Sequence, residues 1–350
     1  MQKITVRTPS MQGDIYIGKD VLERRLSYLT GGQKNIVLVD ENVYRIHGAL
    51  LKRYFRDEEF FVVESGEKNK ELMMVATILK EMLERGLTRA SRLFAVGGGV
   101  IGDMGGLIAS LYMRGISYVQ IPTTLLAQVD SAVGGKTAVN LGGIKNVVGT
   151  FYQPCEVLVS PIFLDFLPAR EIKCGLGEII KYAALNADIF DAVEKNMDML
   201  NDIGFLSSLT EACICHKARI VERDERENDV RKSLNLGHTT GHAIELSCKL
   251  SHGESVLYGM LAETKIAMEI GVCHKEYGEK LLAIISRALE TQPQSVLKIS
   301  NIGKLAEKAK SDKKNTDDGD INLVVACRKG AFDRISLPFY DYENYLQKFL

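Results

Sequence analysis

The stretch RLFAVGGGVIG, Arg92–Gly102, decides the fold. A short apolar run stops at three successive glycines, and a helix-like stretch follows. Gly97–Gly102 formally matches G-x-G-x-x-G. Glycines at such a turn let the backbone approach a pyrophosphate, while the N–H groups and dipole of the next helix favour an anion. Any tight strand-to-helix turn also favours glycine, so nucleotide binding and a plain structural turn both remain open. The acid expected about 20 residues later is missing, because Pro122 stands there. Acids close earlier runs instead: Asp40 ends NIVLVD, and Glu64 and Glu67 lie around FFVVESGEK. Carboxylates at strand ends suit ribose hydroxyls, so a dinucleotide site of different construction is an alternative.

Outward from this turn, the first half alternates β-rich runs with helical patterns. KITVRT, NIVLVD, FFVVES, RLFAVGG, SYVQIP and EVLVSP read as strands. Between them, Glu71–Arg85 places Leu72, Val75, Leu79 and Met82 at helical spacing. Strand–helix–strand alternation predicts a parallel sheet covered by helices, with KITVRT and GDIYIG forming an antiparallel hairpin beside it. After Leu167-Pro168 long helical patterns dominate until INLVVAC. The predicted fold is therefore an α/β N-terminal domain, residues 1–170, with a Rossmann-like parallel sheet, followed by a mainly α-helical C-terminal domain, residues 171–350.

A chain of 350 residues is long enough for about two domains and for burying roughly three quarters of its unfolded surface. Its net charge of −1 provides no electrostatic footprint for nucleic acid or an anionic membrane. The N-terminal residues lack the basic and apolar regions of a signal peptide. The most apolar segment, Leu93–Met113, is broken by six glycines and Asp103, so it reads as protein interior rather than a membrane span. Seven cysteines without a CxxC pair fit a reduced, cytoplasmic setting. Cys213 and Cys215 point about 200° apart on a helix, which suits packing better than shared chelation. The charge runs VERDERENDVRK and KAKSDKKNTDDGD read as solvated surface.

Two polar clusters stand out. PTTLLAQVDSAVGGKTAVNLGGIKN, Pro122–Asn146, sets Asp130, Lys136, Lys145 and Asn146 among glycine pairs and apolar neighbours. Lysines and an acid in such a loop suit a hydroxylated, phosphorylated ligand, although an ordinary polar loop has a similar look. In SLNLGHTTGHAIELS, Ser233–Ser247, His238 and His242 are four apart. Glu227, Arg231, Asn235, His238 and His242 keep a helical rhythm if the chain is continuous past Gly237. His252 follows in SHGES, and GLGEIIKY puts Glu178 and Lys181 on one helical face. Neutral imidazoles with a carboxylate suit a divalent metal that leaves a position open for substrate. Spacing alone does not tell which histidine is a ligand and which moves protons.

With these motifs assembled, the chain resembles the 3-dehydroquinate synthases, within the sugar-phosphate cyclases. The resemblance runs from about Asp40 to Lys314. It rests on SGEKNK, GGGVIGD, YMRG, IPTTLLAQVDSAVGGKTAVN, KNVVG, FYQP, GLGEIIK, DERENDVRKSLNLGHTTGHAIE, SHGES and SDKKN, in that order. It implies conversion of 3-deoxy-D-arabino-heptulosonate 7-phosphate to 3-dehydroquinate and phosphate, a step of the shikimate pathway. In that chemistry NAD oxidises a ring alcohol, phosphate is eliminated, NADH reduces the ketone, and the ring opens and recloses by an aldol step.

Position by position, the resemblance makes Glu178, His238 and His252 ligands of one divalent ion, Zn2+ or Co2+. Glu227, His242 and Lys181 become the catalytic groups. Asp130, Lys136, Asn146, Lys217, Arg231 and Asn235 fall on substrate contacts, and one of Lys313 and Lys314 on the carboxylate grip. NAD contacts fall on Asp40, Asn42, Glu67, Lys70, Gly98, Gly99, Val100, Asp103, Thr123, Thr124 and Lys145. A homodimer is implied, with Arg114 reaching the neighbouring subunit's phosphate. The sequence departs from the family pattern where Phe166 replaces a threonine, at Cys174, and in the short span between His242 and His252. Other sugar-phosphate cyclases, and a metal-dependent alcohol or polyol-phosphate dehydrogenase, are the alternatives.

Overall fold

The computed structural model describes residues 1–248, 250–290, 297, 299, 301–310 and 319–350. The chain forms two compact units: 1–168 with 217–226, and 169–216 with 227–350. A single cut at 170/171 does not capture this, because Lys217–Arg226 rejoins the first unit. The physical reason lies in that segment's own contacts. Glu222 accepts the backbone N–H of Arg7, and Glu225 accepts from Ser10 and from Gln153 Nε2. The charge run is thus only partly the solvated surface that its composition predicts: Arg223, Arg226, Asp229 and Lys232 are exposed, whereas Asp224, Glu225 and Arg231 are buried. Most of the second charge run, residues 311–318, lies outside the described residues, as do Lys313 and Lys314.

In the first unit the elements are β1 (Gln2–Arg7), β2 (Gln12–Ile17), α1 (Val21–Leu29), β3 (Asn35–Asp40), α2 (Glu41–Leu51), β4 (Phe60–Val63), α3 (Leu72–Glu84), β5 (Arg92–Gly97), α4 (Gly99–Leu111), β6 (Ser117–Pro122), β7 (Lys136–Leu141), β8 (Ile144–Phe151) and β9 (Glu156–Val159). Seven strands form one sheet in the order β1-β2-β9-β6-β5-β3-β4. All neighbours are parallel except the antiparallel β1–β2 hairpin. Strands buried on both faces read as continuous apolar runs, and here alternate residues go to opposite cores. Ile36, Leu38, Leu93, Ala95 and Tyr118 face α3 and α4, with Val75, Ile78, Met104 and Ile108. Val37, Val39, Phe94, Val96 and Ile121 face α1 and α2, with Leu22, Leu26 and Leu51.

The chain runs from β3 to β4 on one side and continues from β5 to β6 on the other. The order therefore reverses between β3 and β5, and the crevice beyond their carboxyl ends is the usual ligand position in such sheets. Asp40 ends β3 and Gly97 ends β5. One feature has no counterpart in the sequence pattern. The stretch read as a ligand loop contains the antiparallel hairpin β7–β8, which turns through Gly142 and Gly143, both at positive φ.

The second unit contains α5 (Ala169–Leu185), α6 (Ala187–Lys195), α7 (Ile203–Ser208), α9 (His238–Cys248), α10 (His252–Glu269), α11 (Lys275–Glu290) and α12 (Ile302–Lys310), then β10 (Asp320–Arg328), β11 (Ala331–Pro338) and α13 (Phe339–Phe349). α8 (Thr210–Arg223) begins in this unit and ends in the first. Among the described residues no helix is long and apolar enough to cross a membrane.

Candidate functional site

In the helical unit, α10 packs against α5 and α9 through glycines. A β-carbon on Gly177 would lie 2.4 Å from Gly253 O, and one on Gly253 would lie 2.1 Å from Cys174 O. On the other side, a β-carbon on Gly259 would lie 2.0 Å from Gly237 O. No side chain fits at these crossings, so the backbones approach closely enough for short donors to meet.

Glu178 comes from α5, while His238 and His252 are the first residues of α9 and α10. Their donor atoms lie within 4.8 Å of one another. Glu178 Oε1 is 3.6 Å from His238 Nε2 and 3.2 Å from His252 Nε2. Two ligands of a tetrahedral zinc at about 2.0–2.1 Å lie about 3.4 Å apart, and these two spacings bracket that value. The residues therefore fit a small divalent cation. Glu178 Oε2 forms an ion pair with Lys181, whose side chain is 2% exposed.

Each imidazole is aimed through its other nitrogen. His238 Nδ1 lies 3.0 Å from the carbonyl of Leu236, and His252 Nδ1 lies 3.0 Å from Glu245 Oε2. Burial on its own disfavours the His252 cation. Hydrogen bonds and charge from Glu178 and Glu245 outweigh that effect, and the ring is pushed up to about 9.

The helix starts are fixed as well. Gly237 takes φ +74°, a region that favours glycine. Buried Glu263 accepts from the backbone N–H of Gly237 at 2.9 Å and of Thr240 at 3.0 Å. Ser251 and Glu254 form a reciprocal capping box at the start of α10. These carboxylates offset the positive dipole ends that would otherwise oppose a cation.

His242, one turn after His238, is not in the three-donor group. Its ring centroid is 5.3 Å from that of His238 and 6.1 Å from that of His252. The condition for a continuous ridge from Glu227 to His242, an unbroken helix past Gly237, is not met. Glu227 has φ +61°, Val230–Asn235 is a short 3-10 stretch, and Gly237 breaks the chain direction before α9. Glu227 is nevertheless engaged, since Asn235 Nδ2 donates to its Oε1 at 2.5 Å. Arg231 is almost fully buried. The short span after His242 is sufficient, because α9 closes at Cys248 and α10 opens at His252. Cys174 is buried, and burial pushes its thiol up to about 12, which makes it a poor nucleophile.

In the sheet unit, the predicted contacts gather at the carboxyl edge of the sheet. Gly98 is the N-cap of α4, and Gly99 is its first residue. Thr124 is adjacent, with its methyl 3.1 Å from where a Gly98 β-carbon would lie. Thr123 Oγ1 and Ser131 Oγ are buried without a hydrogen-bond partner among the described residues. Buried polar atoms are normally satisfied, so two orphan hydroxyls beside a helix N-terminus fit a polar ligand such as a dinucleotide. The Val100 side chain packs on the core, which leaves its backbone for such a role.

Asp40 Oδ1 is engaged in capping α2, accepting from Asn42 N at 2.9 Å, Val43 N at 3.3 Å and Ser65 Oγ at 2.8 Å. Lys70 Nζ donates to Asp103 Oδ2 at 2.6 Å and to Asn146 Oδ1 at 2.5 Å. Burial pushes the Asp103 carboxyl upward against the pull of Lys70. Asn140 extends the network: its Nδ2 donates to Glu67 Oε1, and its Oδ1 accepts from Asn146 N, both at 2.9 Å. Asp130 sits in a π-helical turn, Ala127–Ser131, and forms an ion pair with Lys217 at 3.0 Å.

Lys136 opens β7 and Lys145 lies on β8, both exposed. Arg114 is exposed at φ +66°, and Asn146 has φ +51°. Such backbone strain in non-glycine residues concentrates at functional sites. Phe166 is exposed, with its ring edge-on to His47. The sequence pattern assigns no role to Asn140, Ser131 or Glu263, and none to Glu245, although it stands three residues after His242. For Glu245 a signal existed, seven residues after His238 on the same helical face.

Two family models cover most of the chain: "3-dehydroquinate synthase N-terminal" matches residues 60–174, and "3-dehydroquinate synthase C-terminal" matches residues 175–315. A 3-dehydroquinate synthase of Alkaliphilus metalliredigens is 38% identical, covering 100% of this chain and 99% of that protein. Among solved structures, 2-deoxy-scyllo-inosose synthase complexed with carbaglucose-6-phosphate, NAD+ and Co2+ superposes with TM-score 0.88 at 24% identity, over 100% of both chains. The 2-epi-5-epi-valiolone synthase of Streptomyces hygroscopicus, with NAD+ and Zn2+ bound, gives TM-score 0.84 at 25% identity over 97% of both.

Proposed function

Starting from the premise that the chain belongs to the 3-dehydroquinate synthase family, we propose that it eliminates phosphate from 3-deoxy-D-arabino-heptulosonate 7-phosphate and closes the carbocycle of 3-dehydroquinate. The observation that carries this reading is the convergence of Glu178, His238 and His252 at ligand spacing. Those three side chains would hold a divalent cation, and the N-terminus of α4 with Thr123 and Thr124 would hold NAD. Bound there, the cation would supply Lewis acidity at a hydroxyl-bearing carbon, and NAD would supply a reversible hydride acceptor.

The chain's own groups do the rest. His242, one turn along α9 from His238 and outside the donor set, takes a hydroxyl proton at an imidazole nitrogen. Glu227 serves as a second acid/base, its carboxylate held by Asn235. Lys181 pairs with Glu178 through Oε2 and holds that carboxylate in place. The substrate contacts assigned to Asp130, Lys136, Asn146, Lys217, Arg231 and Asn235 are part of the same proposal, as are lyase classification and a cytoplasmic location. So is a homodimer in which Arg114 serves the neighbouring subunit.

The test supplies the heptulosonate phosphate with a trace of NAD and follows phosphate release and NADH together. Stoichiometric phosphate without NADH accumulation is expected. NADH equal to product would instead indicate a dehydrogenase. Metal analysis accompanies the assay: His252→Ala should lose the cation, while His242→Ala should keep it and lose about 10²–10⁴ in rate.

A further inference from the structure

We infer that Glu245 is the positioning residue of the candidate metal centre, holding the His252 ring so that Nε2 faces Glu178. The inference rests on the cation reading above. An ionised carboxylate has no proton to donate, so the contact between His252 Nδ1 and Glu245 Oε2 at 3.0 Å requires Nδ1–H as donor. With Nδ1 committed, Nε2 is the nitrogen directed at Glu178 Oε1, 3.2 Å away. The second nitrogen of a metal-bound histidine is typically held in this way, which fixes both tautomer and ring orientation.

The two histidines are held differently. His238 uses the carbonyl of Leu236, two residues back on its own chain, so its ring is set by the local backbone. His252 relies on a side chain from another helix. It is also the more exposed of the pair, at 29% against 11%. His252 opens α10 as His238 opens α9, so no preceding helical turn confines either ring and the second-nitrogen contact decides its orientation. α9 therefore contributes twice: His238 as a donor and, two turns on, Glu245 as the brace for the donor on α10. Without the brace, the His252 ring is free to turn about its side-chain torsions while the helices stay in place.

The experiment is a titration of metal-stripped protein with Co2+ alone, read by its visible absorption, for the parent, Glu245→Ala and Glu245→Gln. Thermal melts of the metal-free proteins are recorded in parallel. Glu245→Ala should bind Co2+ about 10–100-fold more weakly and with an altered spectrum. Glu245→Gln retains an oxygen to accept from Nδ1–H and should recover most of the affinity. Glu245→Met, equal in length but without oxygen, replaces the alanine variant if that fails to fold. A Co2+ affinity and spectrum unchanged in Glu245→Ala, whatever its melting temperature, would overturn the inference, as would a glutamine variant as weak as alanine. A parent that takes up no Co2+ would sink the proposed centre itself, so the two failures are distinguishable.

Discussion

At the end of β5, a β-carbon built on Gly99 would meet Ser131 Oγ at 3.4 Å, an ordinary contact. At the crossing of α5 and α10, one built on Gly253 would lie 2.1 Å from the carbonyl oxygen of Cys174. Both glycines sit in the first turn of a helix. The first leaves room that the protein itself does not fill, beside the Ser131 hydroxyl, which has no hydrogen-bond partner among the described residues. The second leaves no room at all, because another backbone occupies it. A missing methyl group thus serves a ligand in one place and a helix crossing in the other. The GGGVIG turn announces itself because its glycines are consecutive. Those of the crossing, at 177, 237, 253 and 259, are scattered over three segments and gain meaning only when folded.

The largest expected effect comes from Gly253→Ala. The clash is with backbone atoms, which cannot rotate aside, and overpacking of this kind costs about 3 kcal/mol. The variant should therefore melt well below the parent. The relief available is separation of α10 from α5, which moves His252 away from Glu178, so cation affinity should fall by at least about tenfold. A Gly253→Ala protein with parental melting and metal affinity would break the distinction between the crossing and the turn.

How much of this was legible without coordinates follows the same division. The sheet was legible because β3, β5 and β6 are buried on both faces, and such strands must be apolar throughout. Residue type brings Glu178 and the histidines forward as a candidate metal set, but only the resemblance separates the ligands His238 and His252 from His242. The periodic signal held only for a chain continuous past Gly237, and it is not continuous: Glu227 and Gly237 both take positive φ and no single helix carries the ridge. Glu263 was invisible for another reason: an acid inside an apolar helical stretch gives no hint that it caps a helix starting 25 residues earlier in the chain. The return of Lys217–Arg226 to the first unit was hidden similarly, because the charges that anchor it look like those of any exposed helix end.

A smaller effect, of opposite kind, is expected from Gly99→Ala. Nothing in the fold opposes the methyl group, and alanine is the better helix former by about 1 kcal/mol. Melting should stay level or rise. The methyl would instead occupy space at the helix N-terminus where backbone must approach a pyrophosphate, and NAD affinity, measured by calorimetry on the purified protein, should drop about tenfold. Loss of stability without loss of NAD affinity would move Gly99 into the same class as Gly253.

The smallest effect sharpens the comparison most, because it holds the clash distance fixed and changes only what is struck. A β-carbon on Gly102 would lie 2.1 Å from Gln120 Nε2, as close as Gly253 comes to Cys174 O. The neighbour here is the far end of a flexible side chain, which swings away by changing rotamer. Gln120 is buried on β6, so that movement has some cost, and alanine in α4 offsets it by about 1 kcal/mol of helix propensity. The net change for Gly102→Ala should stay within about 1 kcal/mol, read from denaturant unfolding beside Gly253→Ala. Equal destabilisation of the two variants would mean that distance alone governs tolerance, and that the rigidity of the struck backbone is not what separates the crossing from the turn.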